Sequence, residues 1–287
     1  MRTRFGHKGP RFGAAAVAIL WLLSGAWGDE PDDKEPDDKV SAERLEFMLD
    51  TVRDLQVAPN EHPMDRWPLF AQPILRWTNP VAGIRDGIVV MWTDGRRPAI
   101  LAQVLPTKDN FWIHECQALA SGQFVMRDGQ RVLWEPREKG GEFRVLEGAA
   151  APAATAAKRL IQMRSLAREF TAFDDFRIHH ADKEATRHEL RLMANPVYRY
   201  EMPEQGLMDG GVFPFVLGTD PEVFLLLEAR RDSAGEQSWE YLLAPMTCWG
   251  LEVKHRDKTV WTMPERFGKH STRDAYHIML PSKSFDR

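Results

Sequence analysis

The stretch FDDFRIHHADKEATRHE, residues 173–189, is the part of the chain richest in side chains able to bind a metal. Imidazole and carboxylate groups suit zinc or iron. The candidate ligands are His179, His180, Asp182, Glu184 and His188. Their spacing matches no zinc-binding helix, because HExxH is absent and His180 and His188 are not one helical turn apart. A solvated connector between a helix and a sheet is the favoured interpretation, and neither a metal nor another cofactor is predicted.

A second candidate lies in FWIHECQAL, residues 111–119. Strand alternation places His114 and Cys116 on one face, where a thiol and an imidazole could act as nucleophile and base. No third group orients the base, and the later segment that resembles this one has Tyr241 and Leu243 instead. Side-chain packing is therefore expected. With the three histidines above, this pair is only a candidate for binding, and no catalytic residue is predicted.

Other catalytic signatures are absent from the sequence. It contains no GxSxG elbow, no SxxK followed by KTG and no Walker loop. A glycosidase carboxylate pair cannot be recognised by spacing, because the two groups meet only in the fold. The ten tryptophans could stack on carbohydrate, but most lie in strand-like runs, where aromatic rings usually serve the core. The sequence gives no positive support for an enzyme.

Two amphipathic helices precede the strand-like segments. Ser41 is a good N-cap, and apolar residues recur at helical spacing after it and again after the small-residue linker GAAAPAATAA. The two apolar sets are Leu45, Met48, Leu49, Val52 and Leu55, and Leu160, Met163, Ala167, Phe170 and Phe173. RDGQ and HRDK have the form of hairpin turns. Without βαβ alternation, the predicted fold is α+β, with one helix packed on a curved antiparallel sheet, twice over.

The two segments align in order, which predicts a tandem duplication. The helices superpose 115 positions apart, and later matches lie at offsets that only grow. These later matches are Leu75-Arg76 with Leu190-Arg191, Asn79-Pro80-Val81 with Asn195-Pro196-Val197, Asp86-Gly87 with Asp209-Gly210, Thr93-Asp94 with Thr219-Asp220, Trp112 with Trp239, and Trp134 with Trp261. The predicted units span 41–137 and 158–265, joined by a linker at 138–157. The tail at 266–287 is expected to dock on the fold.

The N-terminus has the three parts of a secretory signal peptide. A basic start is followed by the apolar run AAAVAILWLL and by small residues that allow cleavage near Gly28. The run is shorter than the roughly 20 residues that span a bilayer. An uncleaved anchor is the alternative. Residues 1–28 are therefore predicted to direct export to the periplasm or beyond, and no membrane span is expected in the mature chain. Residues 29–40, with EPDDK repeated, are expected to form a disordered acidic linker.

Charge and cysteine content narrow the partners. Without residues 1–28, 34 basic residues face 42 acidic ones, and no basic stripe interrupts this balance. Such a surface repels phosphate backbones, so no nucleic-acid partner is expected. Cys116 and Cys248 are the two cysteines. Export permits a disulfide between them, but two buried free thiols are the favoured interpretation.

The later segment, from HELRLMANPVYRYE through GTDPEVFLLLEAR to WEYLLAPMTCWGLEV, resembles a group of secreted proteins of planctomycete-type bacteria. The resemblance covers residues 158–265 and is most specific in the GTDPEV-LLLEA run. It implies an exported protein of such a bacterium and assigns no catalytic residue. The first unit departs from the pattern at WTDGRRPAILAQ.

Three functional hypotheses follow. The first is a non-enzymatic exported module that binds a ligand or associates with the envelope, with an envelope protein or polymer as its partner. The second is a secreted hydrolase whose site lies between the two units. The third is a carrier of a small apolar ligand, held within the curved sheet. A deep pocket with converging His, Cys or carboxylate groups would favour the hydrolase, and a dry apolar cavity would favour the carrier.

Overall fold

The computed structural model describes residues 34–107, 111–177 and 184–280. In this part of the chain, two α-helices accompany seventeen β-strands, so the protein is α+β with strands predominating. The helices are α1 (Lys34–Arg53) and α2 (Ala156–Ala167), and one 3₁₀ turn spans Pro203–Gln205. The strands are β1 (Leu55–Pro59), β2 (Leu75–Asn79), β3 (Ile84–Asp94), β4 (Arg97–Pro106), β5 (Trp112–Ala118), β6 (Phe124–Asp128), β7 (Arg131–Trp134), β8 (Arg144–Val145), β9 (Phe170–Phe176), β10 (Thr186–Leu192), β11 (Tyr198–Met202), β12 (Leu207–Leu217), β13 (Asp220–Arg231), β14 (Gln237–Pro245), β15 (Gly250–His255), β16 (Lys258–Met263) and β17 (Tyr276–Met279).

The strands form antiparallel sheets in two successive parts of the chain. In the N-terminal half, from α1 to β7, β1-β6-β7 form one sheet and β2-β3-β4-β5 form most of another. Isolated bridges from Val57 to Trp67 and from Leu69 to Trp92 link these two sheets. In the C-terminal half, from α2 to β16, β10 pairs with both β9 and β12 and so joins the corresponding strands into one sheet.

Helix α1 packs against one face of the sheet that contains β3 and β4, and helix α2 packs against one face of the sheet of the C-terminal half. Met48 and Val52 of α1 are fully buried in a core with alternate residues of β3 and β4, such as Val90 and Ile100. In the same way α2 contributes Met163 to a core built on β12, β13 and β15. A helix whose apolar stripe meets the apolar face of a sheet is the expected two-layer solution.

The sheet that contains β2-β3-β4-β5 and the sheet of the C-terminal half also pack against each other, through the faces that do not meet the helices. Because successive residues of a strand point to opposite faces, Val89 and Met91 face away from α1. They join a third core with Phe224 and Leu226 of β13, the strand that carries Leu225 on its α2 side. The order of layers is therefore helix, sheet, sheet, helix, and both faces of each sheet are covered.

Helix α1 begins earlier than the sequence predicts. It starts at Lys34, seven residues before Ser41, so residues 34–40 are helical and the prediction of a disordered linker over 29–40 is wrong there. Pro36 falls in the first turn, where the backbone N–H has no helical partner to lose. Helix α2 starts at Ala156, with Thr155 as its N-cap accepting a hydrogen bond from the backbone N–H of Lys158. Residues 1–33, which include the predicted signal peptide, lie outside the described residues.

The two predicted hairpins are confirmed. Strands β6 and β7 are joined by a two-residue turn that contains Gly129, whose φ is +54°. Strands β15 and β16 are joined by Arg256 and Asp257, both with positive φ, at +49° and +63°. Two left-handed residues match the twist of the flanking strands, which is why this turn is favoured in hairpins.

The edges of the two sheets are covered to different extents. The C-terminal tail supplies β17, which pairs with β5 from His114 to Gln117. The connection between the halves supplies β8, which has only two residues and pairs with Glu240 and Tyr241 of β14. The edge of β14 is therefore covered along a shorter length than the edge of β5. Among the described residues, no helix is long and apolar enough to cross a membrane.

Candidate functional site

A cleft of about 540 Å³ opens on the N-terminal half. Its walls are the loop between β1 and β2, the tight turn between β3 and β4, and the loop between β5 and β6. The volume falls within the range of small-ligand sites, about 300–1,000 Å³. Its floor includes Trp67, which is nearly buried and packs on Phe124 with ring centroids 5.4 Å apart.

The rim of this cleft carries charges of both signs. The β1–β2 loop provides Glu61, Asp65 and Arg66, and the β3–β4 turn provides Asp94; all four are exposed. His62, on the same loop, adds an imidazole. A rim with both acidic and basic groups suits a ligand that also carries both charges.

Arg97 marks the inner end of the cleft and is held by the C-terminal half. Its Nε and Nη2 donate to the two carboxylate oxygens of Glu228 at 2.8 and 2.9 Å. Glu228 is fully buried and also accepts a hydrogen bond from the Tyr200 hydroxyl at 2.8 Å. The guanidinium carbon of Arg97 lies 4.5 Å from the ring centroid of Phe143. A two-pronged ion pair of this kind is geometrically specific, so it fixes the inner wall of the cleft against the other half.

His114 and Cys116 do not meet a cavity. Both point towards α1, where His114 Nε2 lies 2.8 Å from the Thr51 hydroxyl, and that hydroxyl donates to the Met48 carbonyl. The imidazole therefore serves as a donor to Thr51. Burial lowers the pKa of His114 to about 4 and raises that of the Cys116 thiol. A neutral thiol is a poor nucleophile, so this pair packs rather than reacts.

The remaining histidine candidates do not form a described site. His179 and His180, with Asp182, lie outside the described residues. Glu184 is exposed, and His188 is half-buried on β10, beside Asp174 in the register. The ring of His188 contacts that of Phe176, with centroids 6.2 Å apart. Across the described ranges, no group of three or more His, Cys, Asp or Glu residues is arranged to hold a metal.

Both cysteines are free thiols. Cys116 is fully buried and Cys248 is half-buried. For Cys248, burial is the main cause of a raised pKa, and the nearby Glu115 and Glu222 raise it further.

Buried carboxyl groups are the feature that sequence reasoning missed. Glu115 lies between the two sheets, only 6% exposed. Its Oε2 accepts a hydrogen bond from Gln103 Nε2 at 2.9 Å, and its Oε1 accepts one from the Tyr276 hydroxyl. Burial raises the pKa of Glu115 to about 7, against the opposing effect of these two hydrogen bonds. Gln103 also donates to the Met246 carbonyl of the C-terminal half.

Three more carboxyl groups lie nearby in the C-terminal half, and we call them the acidic cluster: Asp174, Asp220 and Glu222. Asp174 is fully buried, and neither of its oxygens has a hydrogen-bond partner among the described residues. Burial, then the charges of Asp175 and Glu115, raise its pKa to about 8. Asn79 Nδ2, from the N-terminal half, donates to Asp220 Oδ2 at 3.0 Å.

Burial is also the main cause of the raised pKa of Asp220 and Glu222. The charges of the other carboxyl groups add to it: Asp174 and Glu115 act on both residues, and Asp220 acts on Glu222. Burial and mutual repulsion therefore favour the protonated form of each of these carboxyl groups. Alternation along β13 could have indicated that Glu222 shares a face with Phe224 and Leu226, but the packing of a second sheet on that face is not visible in the sequence.

No known protein family, curated protein or solved structure matches this chain.

Proposed function

We propose that this protein is an exported, non-catalytic binding protein built from two duplicated α+β units, and that the cleft of the N-terminal half is its binding site. The observation that carries the proposal is the cleft itself, an open site of about 540 Å³ with both acidic and basic groups in its lining. We propose a small zwitterionic ligand, such as an amino acid or a short peptide. Export and an origin in a planctomycete-type bacterium are proposed from the N-terminal sequence and from the resemblance of residues 158–265.

The order of strand pairing supports the duplication. In each half a helix precedes a strand that pairs with the first strand of the Trp-containing hairpin, which gives β1-β6-β7 and β9-β15-β16. Strands β2-β3-β4-β5 pair in sequence, and so do β11-β12-β13-β14, with β10 lying between β9 and β11 in the chain. In the N-terminal half, Trp67 and Leu69 form isolated bridges to β1 and β3. These bridges correspond to the pairs that Leu190 and Leu192 of β10 form with β9 and β12.

The register within the strands supports it residue by residue. Met126 pairs with Trp134 and Val253 pairs with Trp261, and in both hairpins the register shifts directly after that pair. Likewise Trp77 pairs with Gly87, and Tyr200 pairs with Gly210. A Cβ on either glycine would lie 2.5 or 2.6 Å from the partner's ring, so both positions require glycine for the same reason.

Buried ion clusters recur at matching positions. In each half a nearly buried aspartate on β3 or β12 accepts from one arginine on the helix and from another on β2 or β11. The second arginine also donates to a backbone carbonyl of the helix, that of Ser41 in α1 and that of Ala156 in α2, so each cluster ties helix to sheet. The two sets are Arg44, Arg76 and Asp86, and Arg159, Arg199 and Asp209.

For some residues, the strand-pairing register gives a different counterpart from the one that the sequence alignment gives. Arg76 corresponds to Arg199 rather than to Arg191, and the NPV match is likewise wrong. Asp94, at the β3–β4 turn, corresponds to Leu217 rather than to Asp220. The match between the two hairpin tryptophans stands.

The two units differ most at the cleft. By register, the cleft-lining residues of the N-terminal half correspond to the acidic cluster and Cys248 in the C-terminal half. The corresponding pairs are Pro59 with Asp174, Arg97 with Asp220, Ala99 with Glu222, and Ser121 with Cys248. The C-terminal counterparts are buried or half-buried. We therefore assign ligand binding to the N-terminal unit.

The other two hypotheses have less support. A carrier needs a cavity between helix and sheet, but Met48 and Met163 fill that space in the described part of each half. A hydrolase needs an accessible nucleophile with its base, and the neighbouring Thr51 and His114 are both buried. Neither arrangement is as open to a ligand as the cleft.

The test is calorimetric titration of the purified mature protein with the natural amino acids and a set of dipeptides. Arg66→Ala and Asp94→Ala each remove one charge from a cleft wall and should weaken binding by about tenfold, the effect of about 1.4 kcal/mol. Arg131→Ala removes an equally exposed charge on β7 and should leave binding unchanged. No saturable binding of any probe would refute the ligand class, and cleavage of the dipeptides would establish the hydrolase instead.

A further inference from the structure

A second, smaller cavity lies where the connection between the halves crosses from one sheet to the other. Its volume is about 180 Å³. Gln117 of β5 contributes one side, Tyr241 and Leu243 of β14 another, and Trp261 of β16 a third. Residues from both halves and from the connecting segment therefore form its walls. We call it the junction pocket, and it shares no lining residue with the cleft.

The side-chain amide of Gln117 is fixed in the wall of the junction pocket. Its side chain is 2% exposed, and its Nε2 donates to the carbonyls of Ala118 and Gly140 at 2.7 and 3.0 Å. These two acceptors fix which end of the amide is nitrogen. The opposite end, Oε1, has no hydrogen-bond partner within the described ranges. The two hydrogen bonds therefore hold this part of the pocket wall in place.

The aromatic wall of the pocket is covered at the matching place in the other half. There β17 runs along β5, and Trp134 is fully buried, with its Nε1 donating to the Asp274 carbonyl at 2.9 Å. Beside β14 the corresponding strand, β8, has only two residues, and Trp261 remains partly exposed. The junction pocket thus lies beside the part of the β14 edge that β8 leaves uncovered.

We propose that the junction pocket binds one ring of a neutral, hydroxyl-rich ligand, a single sugar unit. The Trp261 ring offers a flat apolar surface for the C–H face of such a ring, as aromatic side chains do in contacts with a partly polar partner. Arg144 and Arg266 offer donors, and Glu138 and Glu142 offer acceptors, around the same cavity. A hydroxyl group both donates and accepts hydrogen bonds, so it suits walls that carry both basic and acidic residues. A charged ligand would be repelled by the wall residues that have its own sign.

The pocket is small enough to restrict the ligand to one ring. Its volume equals the liquid share of roughly six water molecules, taking about 30 Å³ for each. A longer saccharide would have to leave the pocket towards solvent, where Lys139 and Glu142 are exposed. The proposal concerns a different cavity from the cleft, so it stands or falls without the amino-acid or peptide ligand.

The experiment is calorimetric titration of the full mature chain with glucose, galactose and N-acetylglucosamine, with tryptophan fluorescence recorded in parallel. We expect saturable millimolar binding of at least one sugar. Trp261→Leu keeps an apolar side chain but removes the flat ring, and should weaken binding by at least about tenfold. Gln117→Met removes the amide that holds the pocket wall at Ala118 and Gly140, and should weaken it as well. Phe111→Ala, which removes a ring that is 65% exposed and lies outside the pocket, should have no effect.

Two results would overturn the proposal. The first is the absence of saturable binding of all three sugars to the unaltered protein. The second is binding that persists unchanged in Trp261→Leu, because the sugar would then sit elsewhere. Should Gln117→Met fail to fold, as judged by its melting curve, Trp261→Leu alone decides. The cleft variant Arg66→Ala should bind the sugar as the unaltered protein does, which separates this site from the proposed function.

Discussion

Replacing Glu115 with glutamine should make the protein less sensitive to alkaline pH. In the unfolded chain this carboxyl ionises near its ordinary pKa of 4.5, whereas burial between the two sheets raises the folded pKa to about 7. Between these two values the folded protein keeps a proton that the unfolded chain has lost. The stability contributed by that proton is fully present below pH 4.5 and is lost as the pH rises through 7.

The expected magnitude follows from the size of the shift. A shift of one pKa unit corresponds to about 1.4 kcal/mol, so a rise from 4.5 to about 7 changes the free energy of unfolding by about 3 kcal/mol. For a protein of this length, that difference moves the melting temperature by about 6–12 °C. The charges of Asp174, Asp220 and Glu222 act in the same direction, because burial raises the pKa of each of them. The unaltered protein should therefore lose more stability than Glu115 alone accounts for.

The assay is a series of thermal melts between pH 5 and pH 8 for the unaltered protein and for Glu115→Gln. Glutamine keeps an oxygen that can accept from the Tyr276 hydroxyl or from Gln103. The decisive quantity is the difference between the two proteins in their loss of melting temperature across this range. Glu147→Gln, which alters an exposed glutamate, is the control and should follow the unaltered protein.

A loss of melting temperature that is the same in Glu115→Gln and in the unaltered protein would refute the reasoning. In that case the carboxyl would ionise in the folded state at its ordinary pH, and the sheets would not exclude water from it. A steeper loss in the variant would refute it as well, because removing one negative charge must ease the ionisation of the acidic cluster.

Three further predictions concern packing. Truncation after Pro264 removes β17, leaves the edge of β5 uncovered and should lower the melting temperature by several degrees; an unchanged melt would mean that the tail adds no stability. Gly87→Ala places a Cβ 2.5 Å from the Trp77 ring and should destabilise by about 1–3 kcal/mol in urea unfolding, whereas Gly122→Ala meets no atom within 4 Å and should be neutral. Cys116 should resist thiol labelling in the native protein and react only after unfolding, as mass spectrometry of its peptide would establish, since burial raises its pKa.

Local features of the fold were predictable from the sequence because they depend on neighbours in the chain. The spacing of Met48 and Val52 placed them on one face of α1, and both are fully buried. The RDGQ and HRDK segments were recognised as turns because a two-residue hairpin needs residues that tolerate positive φ. The start of α1 was missed because a charged segment with proline was interpreted as unable to fold, although proline is tolerated in a first turn.

Non-local features were not predictable. Alternation places Glu115 on the opposite face of β5 from His114 and Cys116, but it does not give what covers that face. It is the sheet of the C-terminal half that buries Glu115. The alignment of Arg76 with Arg191 failed for a related reason. Identical residue types in two segments indicate less than the residues with which each arginine pairs in the fold. An arginine ten residues before an Asp-Gly pair occurs at Arg76 and at Arg199, and that spacing was available in the sequence.

The two halves differ in what lies at their loop regions, although their helix-to-sheet contacts are alike. Each half retains the arginine–aspartate cluster that ties its helix to its sheet, so folding constrains that position in both. The loop regions carry no such constraint. The N-terminal half has an open cleft there, while the C-terminal half buries the acidic cluster at a cost in stability that increases with pH. Burying a carboxyl group without hydrogen-bond partners costs stability, and neither oxygen of Asp174 has a partner among the described residues. Asp174→Asn should therefore stabilise the protein above pH 8, and an equal or lower melting temperature there would contradict this argument.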